Sequence, residues 1–265
     1  DIRIFERSSQ QVTPTPIGKM VVEQAWKVIQ RANKLKDIVA EEKKAATGSF
    51  RIGILPTIAP YLLPRFFTEL QAQNPQLSLV VIEMKTADMK RALDRGDIDA
   101  GILVNLEGLE DYNTITLFYE QFLAYVAEND KLFEAKSIKA TDLNNEFLWL
   151  LDEGHCFRDQ LVKYCQLKAA KTSQSAYSLG SIETFMRIVE NGQGMTFIPE
   201  LATMQLTPPQ KELVRPFAIP IPTREVVMAT SKAFVRQSLL NMIVGQIRNS
   251  VPEKMLKLNN TEQRI

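Results

Sequence analysis

The only histidine and both cysteines of this 265-residue chain lie within one segment, LLDEGHCFRDQLVKYC. A cysteine becomes a nucleophile when its thiolate is stabilised by positive charge or by the free N–H groups at the start of a helix. Cys156 has His155 beside it, Arg158 two positions on, and a predicted helix start at Gly154. Asp159 opposes these effects, because its carboxylate can offset the positive charge or orient Arg158. The segment still predicts a reactive thiol at Cys156, with a pKa below its usual value.

The spacing of the two cysteines makes disulfide formation depend on the backbone conformation of this segment. A sulfenic acid on Cys156 would condense with the thiol of Cys165 to give a disulfide. If CFRDQLVKYC is one helix, the two side chains point to opposite faces and lie about 13–14 Å apart along its axis. A disulfide needs Cα atoms within roughly 7 Å, so the helix would have to unwind, as a two-state switch requires. If the segment is a static loop instead, the pair is an inert structural bond.

Other uses of these residues are less well supported by the composition. Two cysteines are too few for a disulfide-stabilised secreted scaffold, which favours a reducing, cytoplasmic compartment. One histidine and two cysteines do not supply the four ligands of a usual zinc site, so we expect no metal and no cofactor. Paired cysteines in such a compartment are more often catalytic or redox-sensing.

The composition is that of a globular protein with one or two domains. Apolar residues make up 45% of the chain, and no apolar run is long enough to span a membrane. The net charge is +1, so the chain as a whole gives no electrostatic argument for binding nucleic acid. The first residues are polar and basic, without the apolar core of a secretory signal. We therefore expect a fragment of a longer protein.

A long helix is predicted near the amino terminus, between the punctuating segments TPTPIG and ATGSF. A second apolar stripe, formed by Val22, Trp26 and Ile29, widens its apolar face. The main stripe has the heptad spacing of a coiled coil and comprises Val21, Ala25, Val28, Ala32, Leu35 and Val39. A helix placed before the first strand is expected to join two modules or two chains, although it could also pack on its own domain.

After Gly48 the pattern changes to alternating strands and helices, which predicts the α/β class. The runs FRIGIL, LSLVVIEM and DAGILV predict strands, and PYLLPRFFTELQAQ and ADMKRALDRG predict helices between them, hence a parallel sheet. A second unit has a long strand in ITLFYEQFLAYVAEND and a Ser-capped helix followed by a strand over 181–199. The strand REVVMATSK and the helix SLLNMIVGQIRNSV could return to the first unit. Two such lobes leave a ligand-binding cleft where strands end.

These elements together resemble a LysR-type transcriptional regulator. RIFERSSQQVTPTPIGK resembles the wing and last turn of its winged helix-turn-helix, and the heptad helix resembles its dimerising linker. The resemblance implies a wing remnant over 1–18, a linker helix over 19–47, and a two-lobed effector domain of periplasmic-binding-protein type over 48–265. Lobe I would comprise about 48–120 and 223–265, and lobe II about 121–222. Most of the DNA-recognition element is absent from the sequence.

Two motifs, GILPTIAPYLLP and GHCFRDQ with its following cysteine, resemble more specifically the peroxide-sensing members of that family. Their pattern has leucine where Phe157 stands, which leaves the polar residues unchanged. The resemblance implies that Cys156 reacts with peroxide and that Cys165 resolves the product. It also implies peroxide-binding roles for five polar residues: Thr57, Thr86, His155, Arg158 and Asp159. From the residues alone, a threonine after a strand is more often a helix cap.

The function implied is that of a hydrogen peroxide sensor, a transcription regulator and not an enzyme. Disulfide formation would refold the segment, change the geometry of a homodimer or homotetramer, and activate antioxidant genes. The implied partners are hydrogen peroxide, promoter DNA, RNA polymerase, and glutaredoxin or thioredoxin as reductant. Two alternatives stay open: a LysR-type regulator with a small organic effector in the cleft and incidental cysteines, and a thiol peroxidase or cysteine hydrolase, against which the linker helix argues.

Overall fold

A 27-residue helix, α1 (Pro16–Glu42), precedes the α/β part of the chain. The computed structural model describes residues 2–7, 12–44, 46–152, 156–167, 171–172, 181–192 and 194–265. The Thr15 hydroxyl caps α1 by accepting a hydrogen bond from the Gly18 N–H at 3.0 Å. An antiparallel hairpin of β1 (Phe5–Arg7) and β2 (Val12–Pro14) leads into it. The predicted helix is confirmed.

The heptad stripe of α1 is exposed. Leu35 and Val28 keep 67% and 66% of their surface, so the described part of the chain leaves this stripe uncovered. The carboxyl end of the helix docks on the rest of the fold, where the Glu41 carboxylate accepts hydrogen bonds from the N–H and hydroxyl of Ser238. Pairing of α1 with a second chain stays a prediction, and exposed apolar surface of this kind is typical of such contacts.

The predicted parallel sheet follows α1 in the chain. The strands β3 (Gly48–Ile54), β4 (Leu77–Glu83) and β5 (Ala100–Val104) lie in the order β4-β3-β5, connected by α2 (Ala59–Gln73) and α3 (Thr86–Arg95). A Cβ atom at Gly101 would lie 2.5 Å from the sulfur of Met89, so glycine lets α3 pack closely on the sheet. The carboxyl ends of β3 and β4 therefore point to one edge, as predicted.

Two long strands join the halves of the molecule. β6 (Tyr112–Val126) and β11 (Ile221–Ser231) pair antiparallel, with a register shift between Val226 and Val227. Each crosses a boundary expected between the lobes, and the division into lobes stays a prediction. In the described residues they belong to one ten-stranded sheet. Its remaining strands are β7 (Phe147–Trp149), β8 (Lys171–Thr172), β9 (Met195–Pro199), β10 (Val214–Pro216) and β12 (Glu262–Arg264).

The remaining helices flank this sheet and are α4 (Cys156–Cys165), α5 (Ile182–Glu190), α6 (Pro208–Glu212) and α7 (Gln237–Ser250). Ser181 caps α5 as expected, accepting a hydrogen bond from the Thr184 N–H at 3.1 Å. The last helix, α7, returns to the first half and packs against α2, where Arg65 Nε donates to the carbonyl of Ser250 at 2.7 Å. Among the described ranges, no helix has the length and apolarity needed to cross a membrane.

The segment CFRDQLVKYC is helical, which decides between the helix and the static loop considered above. Its buried residues are Cys156, Phe157, Gln160, Leu161 and Cys165, so both cysteines are covered although they project from opposite sides of the helix. The helix ends at Cys165, and the next residue, Gln166, has a φ of 51°, in the left-handed region that glycine usually occupies. Both cysteines are free thiols, so this is the dithiol backbone.

Candidate redox site around Cys156

Cys156 is the first residue of α4 and is buried, with 8% of its surface exposed. Burial raises the pKa of its thiol above the usual value, because a thiolate loses solvation there. The positive charge of Arg224 opposes this rise in pKa most strongly, followed by the Thr86 hydroxyl and the Phe157 N–H, which can donate hydrogen bonds to the sulfur. The expected low pKa is therefore not found in this conformation: desolvation outweighs the donors.

Arg224 is the cation with the largest effect on the pKa of Cys156, and it is 1% exposed. Its Nε and Nη2 donate to one carboxylate oxygen of Glu120 at 2.9 and 2.7 Å. Its Nη1 donates to the Thr57 hydroxyl oxygen at 3.2 Å, and Nη2 also donates to the Thr57 carbonyl at 3.0 Å. The guanidinium carbon lies 5.0 Å from the centre of the Phe157 ring. A ring at this position gives a cation–π contact that the leucine of the family pattern would lack.

The two predicted threonines are not helix caps. The residue before α2 is Ile58, which makes no side-chain cap, and Thr57 lies in the turn before it. Thr86 is the first residue of α3, whose cap position is Lys85. Since the Thr57 oxygen already accepts a hydrogen bond from Arg224, its single hydrogen is available for another acceptor. The two hydroxyls follow adjacent parallel strands, and Thr57 accepts from the Arg224 cation whereas Thr86 faces the Cys156 thiol.

The other predicted polar residues occupy different places. His155 lies outside the described residues, as does Gly154. Arg158 lines a small cavity with Thr196 and Phe197, and its Nη1 lies 3.5 Å from a carboxylate oxygen of Asp159. Asp159 is exposed, and its negative charge raises the pKa of Cys156 further. The structure thus brings Thr86 and Arg224 to Cys156, with Thr57 joined through Arg224.

Cys165 lies at the far end of α4 and is 3% exposed. Burial raises the pKa of its thiol to about 12, so at neutral pH it is protonated and unreactive in this position. The helical rise separates it from Cys156 by about 13–14 Å, well beyond disulfide range. A bond between the two sulfurs therefore requires α4 to unwind.

Several contacts hold α4 in its helical position. Gln160 donates a hydrogen bond from its amide to the backbone carbonyl oxygen of Ile265, beside β12. The Tyr164 hydroxyl donates to the carbonyl of Pro220 at 2.7 Å, just before β11. Leu161 is fully buried, and the Phe157 ring packs 4.8 Å from that of Phe122. Unwinding must break these contacts, so the reduced helix is stabilised by residues outside its own segment.

The sequence reasoning missed Arg224 and Glu120. The signal available was the presence of charged residues inside two largely apolar strands, Arg224 and Glu225 in TREVVMAT and Glu120 in LFYEQFLAYV. Charged side chains are almost never fully buried unless they are paired, so two such strands predict an ion pair. Their register confirms it, because Arg224 and Glu120 are opposite each other in the β6–β11 pairing.

Comparison with known proteins links these residues to one family. The family model for the LysR substrate binding domain matches residues 43–251. That range includes both cysteines, both threonines and the buried ion pair.

Individual relatives agree. The chain is 32% identical over 203 residues to the hydrogen peroxide-inducible genes activator of Haemophilus influenzae, covering 77% of this chain and 67% of that protein. It is 30% identical over 211 residues to the DNA-binding transcriptional dual regulator OxyR of Escherichia coli K12, covering 80% and 68%. The crystal structure of OxyR from Porphyromonas gingivalis superposes with a TM-score of 0.76 at 47% identity, covering 82% of this chain and 99% of that one.

Proposed function

The chain belongs to the LysR family of transcription regulators, and from this premise we propose that it senses hydrogen peroxide through Cys156 and regulates transcription in response. The observation that carries the proposal is the burial of the Cys156 thiol beside the Thr86 hydroxyl and within the electrostatic influence of the Arg224 guanidinium. The relatives named as hydrogen peroxide-inducible activators support the choice of oxidant. Because the family consists of regulators and not enzymes, peroxide is consumed as a signal.

The first step is oxidation of one thiol. The Cys156 thiol loses its proton, and the thiolate attacks one oxygen of hydrogen peroxide. The S–O bond forms as the O–O bond breaks, and the departing hydroxide takes up a proton to become water. Under this proposal, Thr86, Thr57 and Arg224 donate hydrogen bonds that stabilise the negative charge developing on the departing oxygen, and their contacts around Cys156 support these roles. The product is a sulfenic acid on Cys156.

The second step joins the two cysteines. The Cys165 sulfur, as a thiolate, attacks the Cys156 sulfur, the S–S bond forms, and hydroxide leaves and is protonated to water. Because the helix holds the sulfurs too far apart, α4 must unwind before the bond closes. We propose that this refolding alters the surface used by a dimer or tetramer, and so changes contacts with promoter DNA and RNA polymerase. A glutaredoxin or thioredoxin would supply the two electrons that restore both thiols.

Thiol titration after one equivalent of hydrogen peroxide tests this function. We expect both thiols to be lost and the intact mass to fall by two hydrogens. In a Cys165→Ala variant, Cys156 should instead gain one oxygen and react with a sulfenic-acid trap. Two free thiols after treatment would contradict the proposal and favour an organic effector. If Cys165 stayed a free thiol in the parent chain while Cys156 was oxidised, Cys165 would be removed from the resolving role.

Replacing Thr57 with valine should slow oxidation of Cys156 by about tenfold to a hundredfold, as expected for loss of one positioned donor. Valine keeps the volume but removes the hydroxyl. The measurement is the rate of sulfenic acid formation in the Cys165→Ala background. The matched control is Thr230→Val. Thr230 is a buried threonine at the end of β11 that is far from Arg224, so this change should leave the rate unchanged. An unchanged rate in Thr57→Val would exclude Thr57 from the site.

A further inference from the structure

The carboxylate of Glu120 lies one side chain away from the thiol site and is 1% exposed. Its Oε2 atom accepts both hydrogen bonds from Arg224, and its Oε1 atom accepts one from the Leu201 N–H at 3.0 Å. Both oxygens therefore have fixed partners on two different elements, the strand β11 and the turn after β9. The position of this carboxylate is determined by the fold and not by solvent.

The guanidinium group transmits that position. It is planar and carries its five N–H donors in a rigid arrangement. The edge formed by Nε and Nη2 faces Glu120, and Nη1 and Nη2 also reach the hydroxyl and carbonyl oxygens of Thr57. Because the group is rigid, fixing the first edge fixes the direction of the other. The same plane lies over the Phe157 ring, next to Cys156 in the chain.

We propose that Glu120 is a positioning residue for the reaction of Cys156 with peroxide, acting by holding Arg224 toward Cys156 and Thr57. The inference rests on the proposed function and adds a residue to it that touches neither thiol nor peroxide. Without Glu120, the guanidinium would lose two of its hydrogen bonds and turn toward other acceptors. The Thr57 oxygen would then lose the donor that leaves its hydrogen free for peroxide.

Two roles of Glu120 predict opposite signs for the pKa of Cys156. If its negative charge acts only through space, removing that charge favours the thiolate and lowers the pKa. If Glu120 positions Arg224, its removal withdraws the main cation from the thiol and raises the pKa. Among the described residues, the other titratable groups linked to this region include Asp159 on α4, Glu200 after β9, Tyr61 on α2 and Glu183 on α5, and none of them is altered in the test. The direction of the shift therefore separates the roles.

The test uses Glu120→Gln, which keeps the shape of the side chain, in the Cys165→Ala background. The pKa of Cys156 is followed by the ultraviolet absorbance of its thiolate, and peroxide oxidation is followed against pH. We expect a raised pKa and oxidation at neutral pH slowed by about tenfold. In an Arg224→Met background, the same change should have no further effect on the rate, since the residue it acts through is gone. A lowered or unchanged pKa with an unchanged rate would overturn the inference.

The control for a general loss of stability is Glu225→Gln. Glu225 is the next residue on β11, is also buried, and accepts hydrogen bonds from Thr116, Asn105 and Arg264. It should change stability without changing the pH profile of Cys156. If Glu120→Gln does not fold, Arg224→Lys decides the question, because lysine keeps the charge but lacks the rigid arrangement of donors. An unchanged pKa and rate in that variant would also overturn the inference.

The outcomes separate this inference from the function on which it rests. If Cys156 of the parent chain does not react with peroxide, the proposed function fails. If Cys156 reacts and the parent and Glu120→Gln rates are equal, only the positioning role fails.

Discussion

Replacing Arg224 with methionine is expected to lower the free energy of unfolding by about 3–5 kcal/mol and to slow oxidation of Cys156 by about a hundredfold. The loss of stability arises because Glu120 stays buried without its counterion. The loss of reactivity arises because the main positive charge near the thiol is gone. Urea denaturation and the rate of peroxide oxidation measure the two effects separately.

The double variant Glu120→Leu with Arg224→Met is the matched control. Replacing both members of a buried ion pair with apolar residues is often neutral or stabilising. We therefore expect stability to return while oxidation of Cys156 stays slow. If the rate returned together with the stability, the effect of Arg224 on Cys156 would be an effect of folding and not of charge.

The single variant should also show a characteristic pH dependence. Burial raises the pKa of Glu120, and without Arg224 nothing of equal strength opposes that rise. A carboxyl group with a folded-state pKa above its unfolded value binds a proton first in the folded protein. The penalty is therefore absent below the unfolded pKa and grows as pH rises toward the folded pKa. Arg224→Met should be closer to the parent in stability at mildly acidic pH than at neutral pH.

Shortening Leu161 to alanine should make the disulfide form easier to reach. Leu161 is fully buried on α4, so the reduced helix should lose about 2–5 kcal/mol of docking energy. If the oxidised segment is unwound, it does not share this loss, and the reduction potential should become more negative by about 40–100 mV. Equilibration with a dithiol redox buffer measures the potential, and quenched-flow mass analysis measures the closure rate, which should increase.

Lys163→Ala provides the comparison on the same helix, because Lys163 is exposed and its substitution removes no buried surface. It should leave both the potential and the closure rate near those of the parent. An unchanged potential in Leu161→Ala would show that docking of α4 does not differ between the two redox states.

The sequence was sufficient to predict the strands and helices from β3 to β5, because the spacing of their apolar residues corresponds to the sides that are buried. It was not sufficient to decide whether CFRDQLVKYC is a helix or a loop. A helix of ten residues is marginal by itself, and this one is held by Gln160 on Ile265 and Tyr164 on Pro220. Those partners are far away in the chain, and no local sequence pattern predicts them.

The site shows the same division. Cys156, Thr57 and Thr86 could be proposed from motifs, although a threonine after a strand does not by itself distinguish a cap from a ligand. The pairing of Arg224 with Glu120 joins residues 104 positions apart and depends on the register of two strands. The pKa of Cys156 depends on burial by both halves of the molecule, so the adjacent residues alone suggested the wrong direction.

Gln166 gives the two ends of α4 different mechanical roles. A left-handed residue other than glycine costs about 1–2 kcal/mol, and this one follows Cys165 directly. The first turn is held instead by the rings of Phe157 and Phe122 and by the cation above them. Once the hydrogen bond from Tyr164 to Pro220 opens, fraying should begin at the last turn, so that Cys165 travels while Cys156 stays among its donors. Under the proposed reaction, the two ends of one short helix therefore have different tasks. Cys156 reacts with peroxide and stays in place, and Cys165 moves to it.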